Sequence, residues 1–206
     1  MQNKIEKTAY SLLEELFPIC RSITGDGVRE TLVRIQKEVP IEIYEVPTGY
    51  VAYDWTVPDE WNINDAYVID PNGKKVVDFT NNNLHVLYYS TPFNGVVTLS
   101  ELKKHTYTLP NKPDLIPFVA SYYKRQWGIC MSHNKLNTLK DGEYKVFIDS
   151  TLKAGSLTYG EIIIKGQIKK EIFFSTYICH PSLANDNLSG IVVTEKIVEY
   201  ILSLKN

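Results

Sequence analysis

The sequence has little of what would mark a specialised class. Cysteine occurs three times in 206 residues, as Cys20, Cys130 and Cys179. An odd, widely spaced set argues against a disulfide framework and for a reducing cytoplasm. No apolar run approaches the roughly 20 residues of a membrane span. The start, Met1-Gln2-Asn3-Lys4-Ile5-Glu6-Lys7, is too polar for a secretory leader. Neither sign of charge dominates: 24 acidic side chains stand against 22 basic ones, net -2. That balance argues against broad electrostatic capture of nucleic acid or anionic lipid. There is no internal repeat, and low complexity is confined to Asn81-Asn82-Asn83. What remains is ordinary globular material, 44% hydrophobic and 22% charged, enough chain for one large domain or two small ones.

The patterning changes along the chain. Ile5, Ala9, Leu12, Leu13 and Leu16 recur at helical spacing before Pro18. Thr24-Gly25-Asp26-Gly27 supplies a turn and a cap, and Val28, Leu32, Ile35 and Val39 stripe a second helix ended by Pro40. Ile41–Val46 reads as a strand. Between Tyr50 and Trp127 lie 14 of the 24 aromatic residues and 6 of the 10 prolines, with short β-favouring runs cut by turns. Regular α/β texture returns after Gly142. Tyr144, Val146 and Ile148 alternate as a strand, and Leu157–Lys165 and Glu171–Cys179 read as two more. The last of these is apolar on both faces, the mark of a central strand covered by helices on each side. The expected fold class is α/β: a discontinuous domain over residues 1–52 and 133–206, interrupted by a small β-rich domain over 53–132.

Chemistry concentrates in Thr176–Gly190. His180 ends a strand and Asp186 sits in the loop that opens the next helix, and in open α/β sheets ligands bind outside strand ends. Imidazole and carboxylate are the ligand types that a catalytic zinc prefers. Asn185, Asn187 and Ser189 suit hydrogen bonding that orients such ligands. Gly190 would let the helix approach the strand. The same residues also read as a helix-capping cluster beside a structural histidine. Cys179 and His180 invite a nucleophile–base reading, but neighbours on a strand face opposite ways.

The order strand, His180, short loop, Asn185-Asp186-Asn187-Leu188-Ser189-Gly190, helix resembles the first half of the metal site in the di-zinc aminopeptidases. More closely, Phe17–Leu32, Trp127–Cys130, Ile148–Ser150, Gly155–Glu161 and Cys179–Ser182 together resemble a bacterial branch of aminopeptidase-like proteins that carries an inserted β domain. The resemblance implies a zinc exopeptidase-like fold, two zinc ions in a complete enzyme and a peptide or peptide-like substrate. It makes His180 a terminal zinc ligand and Asp186 the bridging one. Two departures stand out. Ser182 occupies the place where the family has an orienting Asp. The family's catalytic Glu, its other carboxylate ligands and its second His are expected beyond the helix after Asn187, hence beyond Asn206. No catalytic residue is therefore expected within this chain, which reads as an incomplete N-terminal part, inactive alone.

A different class of function stays open. The fold could serve as a non-catalytic binding scaffold, with the aromatic-rich insertion stacking on glycan or peptide through Trp55, Trp61, Tyr88, Tyr89, Tyr122, Tyr123 and Trp127.

Overall fold

The computed structural model describes residues 2–204, with side chains described over residues 9–204. Ile5, counted above on the first stripe, has its side chain outside the described residues. The architecture is mixed α/β and divides into two compact units. One comprises the residues up to Asp59 and those from Ala154 onward; the other is Glu60–Lys153. The second unit thus begins and ends later than residues 53–132. The reason is that the strand Glu143–Lys153 hydrogen-bonds along its length to Glu60–Ile69.

In the first unit, helices α1 (Gln2–Leu16) and α2 (Asp26–Gln36) precede strand β1 (Glu42–Pro47) and a hairpin of β2 (Val51–Ala52) with β3 (Trp55–Thr56). The apolar stripes behave as their spacing demands. Leu12 and Leu16 from α1 pack with Ile35 and Val39, and with Leu188, Ile191 and Val192 from the end of the chain. Gly27, in the first turn of α2, lies so close to Cys20 that a β-carbon would collide with its carbonyl oxygen.

In the second unit, β4 (Glu60–Ile69), β5 (Lys75–Asp78), β6 (Phe93–Thr98), helix α3 (Leu99–Lys104), β7 (Thr106–Tyr107), β8 (Ile129–Cys130), helix α4 (His133–Asn137) and β9 (Glu143–Lys153) follow in turn. Four strands form an antiparallel sheet in the order β5-β4-β9-β6. Alternation buries one face of β9 through Tyr144, Val146, Ile148 and Ser150. Residues 83–89 form a short 3-10 turn (Asn83–His85) and contribute Val86 and Tyr88 to two isolated bridges.

His85 sits at that turn, its Nδ1 donating to the Cys130 carbonyl at 2.8 Å. Burial holds its pKa below the ordinary 6.5, outweighing the pull of that hydrogen bond and of Asp78. A group that prefers to be neutral when folded stabilises fully above the unfolded value, and this contribution is lost as pH falls below 6.5, because the unfolded chain takes up the proton first. His85→Gln is therefore expected to reduce the loss of stability between about pH 7.5 and about pH 5, measured by urea unfolding at both. An unchanged pH slope would remove His85 as its source.

The chain returns to the first unit with β10 (Ser156–Glu161), antiparallel to β1, and ends in helix α5 (Ser189–Ser203). Strand β10 stops four residues short of the expected Lys165. The stretch Glu171–Cys179 is assigned no strand and is not the covered central strand that its apolarity predicts. Ile172, Phe173, Phe174 and Tyr177 are exposed. Nothing among the described residues pairs with its edges, so the ladder that would bury it is not there. No helix among the described residues is long and apolar enough to cross a membrane.

Candidate functional site

The turn before α5 brings His180 and Asp186 together. His180 Nε2 lies 3.8 Å from Asp186 Oδ2, the ring largely shielded and the carboxylate more than half exposed. The other carboxylate oxygen accepts a hydrogen bond of 2.5 Å from the Tyr177 hydroxyl. That bond to Asp186 raises the pKa of Tyr177, because an ionised phenol would lose it and face a second negative charge. Tyr177 also approaches the His180 ring, with centroids 5.3 Å apart.

Two contacts fix the histidine from behind. Cys179 Sγ lies 3.3 Å from His180 Nδ1, so the pair does not diverge as residues of a regular strand would. Proximity alone does not make this thiol a nucleophile. Burial raises its pKa, with Arg21 as a weaker opposing influence, so the thiolate is disfavoured. The second contact is from Arg21, fully buried, whose Nε donates to the His180 carbonyl at 2.9 Å. Its Nη1 donates to the Leu16 carbonyl at 2.6 Å. One guanidinium thus ties the loop after α1 to the backbone of the site.

Asn185, Asn187 and Ser189 are placed differently from their expected roles. None is bonded to the Asp186 carboxylate; Tyr177 is. Asn187 Nδ2 donates to Thr176 Oγ1 at 2.6 Å, and its Oδ1 is buried with no hydrogen-bond partner among the described residues. Ser189 Oγ reaches the Asn185 carbonyl at 3.4 Å, while the Asn185 side chain faces solvent. Gly190 does let α5 come close: a β-carbon there would stand 2.9 Å from Thr176 Oγ1.

A family model described as "Domain of unknown function (DUF4910)" matches residues 10–206. The chain belongs to the DUF4910 family. It is 53% identical over 196 residues to a Clostridium acetobutylicum protein named "Putative polysaccharide biosynthesis protein with aminopeptidase-like domain", a match covering 95% of this chain and 45% of that protein. A crystal structure of a "putative peptidase" from the same species superposes with a TM-score of 0.94 at 51% identity, over 98% of this chain and 48% of the other. This DUF4910 chain therefore spans about half the length of the relatives it matches.

Zinc ligands lie about 2.0–2.2 Å from the ion, so two ligand atoms on one zinc are at most about 4.2 Å apart and about 3.4 Å apart in a tetrahedral site. The 3.8 Å between His180 and Asp186 needs a closure of a few tenths of an ångström, which side-chain rotation supplies. A bridging carboxylate would also need Asp186 Oδ1, now held by Tyr177. Among the described residues no third His, Cys, Asp or Glu joins them to make a metal-holding group. These two residues of the DUF4910 chain fit one edge of a metal site.

The alternative aromatic surface has less to offer. Trp61, Tyr88 and Tyr89 are buried. Trp127 is sandwiched between Phe93 and His105, with centroid separations of 4.3 and 3.9 Å. Of the seven aromatics named for stacking, only Tyr123 is mostly exposed.

Proposed function

We propose that this chain contributes the first part of a zinc-dependent, aminopeptidase-like hydrolase site, with a peptide or peptide-like substrate. His180 Nε2 and Asp186 Oδ2 supply two protein ligands, and further carboxylate and histidine ligands and the general base come from polypeptide outside this chain. The observation that carries the reading is the imidazole and carboxylate poised 3.8 Å apart at the head of α5; the peptidase and aminopeptidase-like names of the relatives support it. Zinc bound there would lower the pKa of a coordinated water towards 7 and polarise a substrate carbonyl. Tyr177 holds one oxygen of Asp186 and so aims the other, while Arg21 anchors the backbone that carries His180.

Zinc titration by calorimetry tests the assignment. A site with two of the usual three or four protein ligands binds weakly, and His180→Ala and Asp186→Ala are each expected to weaken binding at least about tenfold. Equal uptake by all three proteins would refute the ligand assignment. The chain alone is expected not to release N-terminal residues from peptides. Robust release that disappears in Asp186→Ala would show that the chain already holds a working site.

A further inference from the structure

Residues 171–177 present a surface that the described chain leaves open. Ile172 is 84% and Phe173 89% exposed, and Phe174 and Tyr177 are also exposed. Successive residues of an extended segment point to opposite sides, so both faces of the segment are apolar and both meet solvent. No backbone hydrogen bond among the described residues joins residues 171–175 to another strand. The segment is nevertheless anchored at one end. Ile178 packs against the core cluster of the first unit, and Thr176 is held by Asn187.

A two-faced apolar run with open edges is the pattern of a strand inside a covered sheet. Left bare, it is an aggregation hazard that native proteins avoid. The matched relatives carry further polypeptide that could cover it. The crystal structure matches 98% of this chain at a TM-score of 0.94, yet that match is only 48% of its own polypeptide. In that protein the same fold is accompanied by as much chain again.

We propose that residues 171–177 are a docking edge for a polypeptide of the kind that forms the unmatched half of these relatives. A strand of that partner pairs with the open backbone, and its apolar side chains cover Ile172 and Phe173 on opposite faces. The inference is independent of the metal reading, because the experiment below reads association and amide exchange rather than zinc or catalysis.

The probe is the part of the Clostridium acetobutylicum relative outside the match, co-expressed with this chain. In the isolated chain, the amides of residues 171–175 should exchange at nearly the rate of an unstructured peptide. In the complex they should slow by about 100-fold or more. Phe173→Asp, which attacks the apolar cover, and Ser175→Pro, which attacks the ladder, should each weaken association at least about tenfold. Both positions are exposed, so neither change should shift the melting temperature of the isolated chain. If the probe does not fold separately, the two are joined in one polypeptide and the same amides are followed. Four results would overturn the proposal. The amides could be protected already in the isolated chain, or self-association could protect them, making a second copy the occupant. Ser175→Pro could leave association intact, or exchange at residues 171–175 could stay fast in a folded complex or chimaera.

Discussion

Truncating Trp61 to alanine is expected to lower the unfolding free energy of the second unit by about 3–5 kcal/mol. The ring is 2% exposed. It lies 5.1 Å from the Tyr88 ring and 5.9 Å from that of Tyr89, so its removal strips packing from two further aromatics. Its indole N–H donates to the Ser90 carbonyl at 3.0 Å, an acceptor shared with the Ser150 hydroxyl at 2.8 Å. The Ser90 hydroxyl in turn accepts from the Gly128 amide. Trp61 thus closes a small polar node inside an apolar core, where an unmade hydrogen bond costs about 1–3 kcal/mol. For a domain of this size the loss corresponds to a fall of roughly 15–30 °C in melting temperature, readable by calorimetry. Trp61→Phe, which keeps a ring and loses the donor, should cost less. A loss below about 1 kcal/mol on truncation would mean that Trp61 is not the centre of this core.

Arg21→Met should act on the first unit and reach the candidate site. Methionine keeps much of the aliphatic stem and discards the donors to the carbonyls of His180 and Leu16. Hydrogen bonds to a charged group are worth about 1.5–3 kcal/mol each, so a loss of about 3 kcal/mol is expected by chemical denaturation. Arg21→Lys should recover only part, because an ammonium cannot reproduce the planar fork that serves two carbonyls at once. The readout that separates a positioning role from mere stability is local. Amide exchange across residues 176–183 should rise under native conditions, and the His180 ring resonances should shift, in Arg21→Met and not in a core variant of equal destabilisation. If both variants behave alike, Arg21 is structural cement and nothing more.

Much of the fold was legible where the pattern is local. The stripes of α1 and α2 follow from residues three or four apart, and β1 and the alternation of β9 from period two. The juxtaposition of His180 and Asp186 was also legible, since five residues of turn separate them. Arg21 was not: its partner at the site, the His180 carbonyl, is 159 residues away, and nothing local distinguishes a buried arginine from a solvated one. Tyr177 was missed as the holder of Asp186, because a polar aromatic within an apolar run reads as packing. The run Glu171–Cys179 shows the limit most directly. Its apolarity was plain, but burial depends on what lies beside it, which no property of the run itself contains. The insertion erred the other way, since Trp61 and Tyr123 look alike in composition while one is core and the other is exposed.

The register of two strand pairs has a consequence for chain entropy. Glu60 faces Lys153 across the antiparallel pair of β4 and β9, so the second unit has its two ends side by side. Pro47 likewise faces Ser156 across β1 and β10, and the Thr48 amide donates to the Gly155 carbonyl at 2.9 Å. In an unfolded chain, closing that second contact means closing a loop of roughly a hundred residues; once Glu60 and Lys153 are joined, the effective loop is about a dozen. At (3/2)RT ln n, the difference is about 2 kcal/mol. Folding of one unit therefore favours folding of the other through connectivity alone, and the length of the intervening segment could vary widely with little thermodynamic effect on its host.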